Sequence, residues 1–103
     1  MENMIFKSKE FGEIRTVTDE KGEPWFCLMD VCKALELQTK FVKMRLRDEV
    51  VSNNLISDTI GRKQKALFVN EDGLYDVILE SRKPEARAFR RWVTGEVLPA
   101  IRK

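Results

Sequence analysis

"GEPWFCLMDVCKAL", residues 22–35, sets two hydrophobic periods back to back. Trp25, Phe26 and Cys27 form a short apolar run behind Gly22 and Pro24, the pattern of a strand entered from a turn. At Leu28 the spacing changes. Leu28, Val31, Cys32 and Leu35 fall at i, i+3, i+4 and i+7, one stripe of a short helix, with Asp30 near its positive N-terminal end. A strand running into a helix whose stripe faces the core implies an α+β arrangement.

Toward the N-terminus, the apolar-rich runs Ile5–Phe11 and Ile14–Val17 are separated at Gly12-Glu13, and "TDEKGEPWF" supplies Asp, Gly and Pro before the third run. Together they predict a small antiparallel meander anchored by Trp25 and Phe26, with Gly22 serving its turn.

Toward the C-terminus, Thr39 reads as the N-cap of a second helix reaching about Arg47. Val42 and Leu46 point one way on it, while Lys40, Lys43 and Arg47 line another side. Residues 54–60 partly alternate and "ALFV" (66–69) is strand-like, which predicts a hairpin whose "GRKQK" tip displays Arg62, Lys63 and Lys65. After Asn70, Leu74, Val77 and Ile78 repeat with helical spacing. Glu71 and Asp72 suit a first helical turn, and Gly73 permits close packing there.

Pro84 fits the first position of a last helix with Ala86, Phe89 and Val93 as its apolar stripe, Trp92 beside it, and Arg87, Arg90, Arg91 and Thr94 on the opposite face. Gly95 weakens that helix and Pro99 disfavours helical geometry at Leu98, so the chain is expected to bend and pack "EVLPAI" onto the body. The expected fold is α+β, antiparallel hairpins or a meander packed with about four short helices, in one domain spanning residues 1–103.

Size agrees with one domain: 103 residues, 43% hydrophobic and with nine aromatics, can build one modest core. The net charge of +2 and a pI near 8.6 hide an asymmetry. Residues 1–80 hold 12 Lys or Arg against 15 Asp or Glu, whereas residues 81–103 hold 7 against 2. Basic charge is concentrated at the C-terminal end. Cys27 and Cys32 stand five apart with no histidine in the chain, which fits neither a zinc knuckle nor a redox pair and reads as two buried, reduced thiols. No metal or cofactor is expected. No apolar run approaches the roughly 20 residues that span a bilayer, and the charged start is unlike a signal peptide, so an intracellular, cytoplasmic protein is expected.

Several stretches in this order resemble the Bro-N domain, found at the N-terminus of prophage antirepressors and of proteins of large DNA viruses. They are "FGEIRTVTDEKG" (11–22), "GEPWFCLMDVCKAL" (22–35) and "FVNEDGLYDVILESRKPEARAFRRWVTGEVLPAIRK" (68–103), with a vaguer likeness between residues 36 and 67. The resemblance implies an α+β domain associated with phage and viral gene control, in a bacterial host's cytoplasm if prophage-encoded. For some members it implies nucleic-acid binding; it implies no catalysis. Family antirepressors usually carry a further C-terminal domain, which is absent from these residues, so the chain reads as a minimal member or a fragment.

Beside the resemblance stand the basic groups themselves. Lys40, Lys43, Arg45 and Arg47 on one element, Arg62, Lys63 and Lys65 on a tip, Arg82 and Lys83 before the last helix, and Arg87, Arg90 and Arg91 on it give several projections. They are suited to DNA phosphates, with a few side chains left to read bases. The competing reading is a protein partner such as a phage repressor, bound without DNA, because arginine and aromatics also anchor protein interfaces. Catalysis has little support: there is no histidine to act as base, and the acidic pairs Asp48-Glu49 and Glu71-Asp72 suit turns and helix starts. No membrane partner is expected, and a dimer is compatible with the sequence without being signalled by it.

Overall fold

The computed structural model describes residues 2–57, 63–81 and 84–102, and for residues 2–3, 53–57 and 63–64 the backbone only. The N-terminal meander is present as β1 (Glu2–Ser8), β2 (Gly12–Thr18) and β3 (Pro24–Cys27), paired antiparallel in sequence order. Its first turn comes earlier than the expected break at Gly12-Glu13. Ser8 Oγ accepts hydrogen bonds from the N–H groups of Glu10 and Phe11 (3.1 and 3.2 Å), and Gly12, at φ +78°, opens β2. Phe11 thus leaves the strand and stands edge-on to Phe89, ring centroids 5.1 Å apart.

The second turn is built on Asp19. One carboxylate oxygen accepts from the N–H groups of Lys21 and Glu23 (2.9 Å each) and the other from Trp25 Nε1 (3.0 Å). The indole bond, followed by the backbone bonds, holds this carboxyl below its ordinary pKa. Gly22, at φ +80°, completes the turn as expected.

β3 passes without a loop into α1 (Leu28–Ala34), whose buried residues Leu28, Val31 and Cys32 are those of the apolar stripe. α1 closes with a Schellman-type cap, in which the Leu37 N–H reaches the Cys32 carbonyl (2.8 Å) and the Glu36 N–H that of Lys33 (3.3 Å). Glu36 takes the left-handed position, φ 55°, that glycine commonly fills. α2 (Thr39–Arg45) has Gln38 as its N-cap, not Thr39. α2 also stops early, because Leu46 turns extended (φ −82°, ψ 143°). Arg47 is therefore not on α2 and precedes a short 3₁₀ turn, Asp48–Val50.

The second hairpin joins β4 (Val51–Ser57) to β5 (Lys63–Asn70). β4 begins three residues before the expected start at 54. The ladder also runs on through Leu55↔Lys65 and Ser57↔Lys63, so Lys63 and Lys65 lie in a strand and not at the tip. Arg62 falls outside the described residues, as do Arg82 and Lys83. β5 pairs with β3, giving an antiparallel sheet of order β1-β2-β3-β5-β4.

α3 (Glu71–Glu80) starts directly from β5, capped by Asn70, whose side-chain oxygen accepts from the Gly73 N–H at 2.9 Å. Gly73 is buried where α3 crosses the sheet: a Cβ there would lie 3.0 Å from Val69 Cβ and 3.1 Å from Val50 Cβ and Cγ2.

The last helix is α4 (Glu85–Trp92), preceded by Pro84 in helical geometry as its N-cap, one residue outside the expected place. The bend expected at Gly95 and Leu98 does not form. A π-helical segment, Val93–Val97, carries the chain into α5 (Leu98–Ile101) in helical dihedrals. Pro99 falls in the first turn of α5, where a missing N–H is tolerated. "EVLPAI" still packs on the body through buried Val97 and Leu98.

The main core lies between one sheet face and the helices. The cross-strand row Thr16–Phe26–Val69–Val51 meets Leu28, Val31, Leu74, Val77 and Phe89. Val17, Cys27 and Phe68 form a smaller cluster of their own with Trp25 and Ala66. Both thiols are free and buried, and burial raises both their pKa values.

Candidate nucleic-acid interface

On α4, buried Ala86 and Phe89 fix the inward side, and Arg87 and Arg91, one turn apart, project from the opposite face with Thr94 following them. All three are exposed. Neither Arg87 nor Arg91 has an acidic partner among the described residues. Arg90 leans sideways instead, its guanidinium carbon 5.6 Å from the centroid of the Tyr75 ring. Trp92 is half-buried, 5.9 Å from both Phe11 and Phe89, and so serves the core. Glu96 is exposed and has no arginine partner among the described residues.

α2 carries a different electrostatic arrangement. Lys40 and Lys43 are exposed and unpaired with acids among the described residues, Lys40 Nζ lying 5.9 Å from the Phe41 ring centroid. Arg45 is bound to Glu80 on α3 (2.5 Å), and Arg47 to Glu49 (2.9 Å) with Asp76 at 3.8 Å. Lys65 is exposed on β5. The ten expected contact residues therefore do not form one patch of equivalent charge: Arg45 and Arg47 are compensated within the fold, whereas Arg87, Arg91, Lys40, Lys43 and Lys65 have no acidic partner among the described residues.

Among the described residues two further arginines, Arg15 and Arg102, are tied up within the fold. Arg15 grips Asp30 twice through its guanidinium (2.8 Å each), and the Arg15 backbone N–H donates to the same carboxylate (2.9 Å). Asp30 is nearly buried, its side chain 13% exposed. The bond to Asp30 raises the Arg15 pKa further, so the guanidinium stays charged, and the contact ties β2 to α1. The stabilising role expected of Asp30 is thus met by a residue on β2.

At the other end of α3, Glu71 accepts from the Tyr75 hydroxyl (3.1 Å) and pairs with Arg102, and burial together with this bond raises the Tyr75 pKa. The sequence does not single out Tyr75, and it predicts that Arg102 extends outward with Lys103; the pairing of Arg102 with Glu71 corrects this. The i, i+4 spacing of Glu71 and Tyr75 on an apolar-striped helix was the available signal; the Arg102 contact spans 31 residues and had none. Also missed were Phe41, Met44 and Leu79, large apolar side chains more than half exposed. Among the described residues no group of three or more Cys, Asp or Glu is placed to hold a metal ion, and no helix is long and apolar enough to cross a membrane.

A five-stranded antiparallel sheet with helices on its main core face defines a small α+β domain. Residues 13–99 match the BRO family, N-terminal domain, and the chain belongs to this Bro-N family. It is similar over its whole length to an uncharacterized protein of Haemophilus influenzae, 39% identical and covering 53% of that protein. Over 79% of its length it is also similar to Bro-N domain-containing proteins of invertebrate iridescent virus 6 (28% identical) and invertebrate iridescent virus 3 (31% identical). The chain spans about half of the bacterial relative and about a quarter of the viral ones, 24% and 26% of their lengths. No solved structure matches the chain.

Proposed function

We propose that this Bro-N domain is an antirepressor-like regulatory domain that contacts DNA phosphates through the outward face of α4. One observation carries the reading: Arg87 and Arg91 stand one turn apart, exposed, without an acidic partner among the described residues. Two like charges at i, i+4 repel each other, an arrangement that a phosphate backbone relieves and that folding alone does not require. Thr94 extends the same face with a hydroxyl. Lys40, Lys43 and Lys65 provide further phosphate contacts, whereas Arg45 and Arg47 serve the α2–α3 junction. The domain acts by binding and not by catalysis.

The test is fluorescence anisotropy of a labelled random duplex at several salt concentrations. The parent should bind in a salt-sensitive way, and Arg87→Ala with Arg91→Ala should lower the salt slope by roughly 2, about 0.9 per lost phosphate contact. An unchanged slope removes α4 from the interface; no binding at low salt removes DNA.

A further inference from the structure

The two edges of the sheet differ in how they are protected. β4 carries the polar run Ser52, Asn53 and Asn54, an ordinary way to discourage further pairing. β1 carries the reverse: Met4, Ile5 and Phe6 are consecutive, so both faces of the strand are apolar at its centre. That is the composition of a strand covered on both faces. β1 is nonetheless an edge, paired with β2 in an unbroken register from Glu2↔Thr18 to Ser8↔Gly12, and among the described residues no strand lies along its outer side. Its outer backbone N–H and C=O groups are a template for another strand. Ile5, on the sheet face away from the helices, is 56% exposed, and Met4 and Phe6 are only part-buried on the helix side. Lys7, near the strand's end, is answered by Glu13 of the same chain at 3.6 Å.

We propose that β1 pairs antiparallel with β1 of a second copy, about a two-fold axis through Ile5 and perpendicular to the sheet. The polarity of the strand selects this occupant and this register. Outward from Ile5 it is palindromic: Met4 and Phe6, then Asn3 and Lys7, then Glu2 and Ser8. The pairing sets Ile5 against its counterpart, Met4 against Phe6 and polar ends against polar ends; it uses all seven residues and opposes no like charges. Moving the axis to Met4 or Phe6 would instead set Ile5 against Asn3 or Lys7. An unrelated extended segment would need its own apolar triplet at the matching place, which a second copy already carries. Two five-stranded sheets thus become one of ten with the helices of both copies on one side, within the range of open sheets.

No residue of the α4 face enters this contact, so its test is independent of the DNA reading. Sedimentation over a concentration series compares the parent, Ile5→Lys and, as a control at the other edge, Ser52→Lys, with melting curves to establish that each is folded. The parent should dimerise. Ile5→Lys, which opposes two cations at the axis, should weaken association at least about tenfold, and Ser52→Lys should leave it unchanged. Oxidised cysteine variants read the register separately. Opposed residues of an antiparallel pair lie about 4.5 to 5.5 Å apart at Cα, within disulfide reach, whereas Lys7→Cys would stand four residues from its counterpart, about 13 Å along the strand. Ile5→Cys should therefore cross-link and Lys7→Cys should not; the native thiols are buried and do not compete. A parent that stays monomeric up to about 1 mM, a dimer indifferent to Ile5→Lys or dissociated by Ser52→Lys, or a cross-link at Lys7→Cys in preference to Ile5→Cys would each overturn the proposal.

Discussion

Replacing Gly73 with alanine tests the tightest junction in the fold. The new Cβ would sit 3.0 Å from Val69 Cβ and 3.1 Å from two atoms of Val50, whereas carbon atoms pack best at about 3.5 to 4.0 Å. Val69 is fully buried in the inner strand β5 and Val50 is 2% exposed, so neither neighbour yields freely. About half an ångström must come from α3 rising off the sheet, which also strains the 2.9 Å bond from the Gly73 N–H to Asn70. Overpacking of this kind costs about 1 to 3 kcal/mol, and the helix preference of alanine over glycine returns up to about 1 kcal/mol. The expected net loss is about 1 kcal/mol, a fall of roughly 4 to 8 °C in Tm for a domain of this size. Thermal unfolding followed by circular dichroism reads it directly. The geometry also predicts coupling: in a Val50→Ala background, which removes one of the three close atoms, Gly73→Ala should cost less than it does alone. A Tm at or above the parent's, or strict additivity with Val50→Ala, would refute the argument.

Two further predictions concern the ion pair and the phenol. Asp30→Ala should destabilise by about 2 to 3 kcal/mol, since it leaves the Arg15 guanidinium and backbone N–H, both part-buried, without their acceptor; denaturant unfolding measures the loss, and a variant as stable as the parent would show the pair to be idle. Tyr75 is the chain's single tyrosine, and its folded pKa lies above the ordinary value. The stability tied to its protonated form is therefore complete below the unfolded pKa, near 10, and is lost as pH rises through the folded value. Phenolate absorbance should appear later in the folded domain than in urea, and Glu71→Gln should bring it earlier; coincident folded and unfolded titrations would contradict the Glu71 contact.

Much of the fold was legible because local signals agreed with one another. The change of period at Cys27–Leu28 marked β3 and α1, and the helical spacing of Leu74, Val77 and Ile78 behind two acids marked α3. The misses were of two kinds. Some signals were non-standard residues in standard roles: α1 ends on Glu36 in a left-handed cap, and α2 ends where Leu46 becomes extended, with neither Gly nor Pro to announce it. Others were breakers that did not break. Gly95 and Pro99 each argue against a helix, yet the chain stays helical through both, in π geometry around Gly95, an outcome that depends on Val93, Val97 and Leu98 being buried in the main core and not on the local sequence.

The surface was less legible, for a reason that concerns charge itself. A sequence reports where basic residues are, but a binding surface depends on which of them remain uncompensated after folding. Arg45 and Arg47 sit in a basic run from Lys40 onward, and counting along the chain ranks them with Lys40 and Lys43. Their partners Glu80 and Asp76 lie on α3, about thirty residues on. A carboxylate at that distance in sequence leaves no periodic trace on α2. Arg87 and Arg91 differ because their helix contributes few acids: Glu85 is its first residue, and its apolar stripe fixes the opposite face inward. Their exposure followed from helical spacing alone, and their freedom from carboxylate partners among the described residues emerged only with the fold. The same logic separates the two surfaces. On α4 the exposed face is charge without apolar area, which suits a polyanion. On α2 the adjoining arginines are neutralised by acids of other elements and Lys40 and Lys43 stand exposed beside Phe41 and Met44, so an equal count of basic residues leaves a weaker and less uniform charge than on α4.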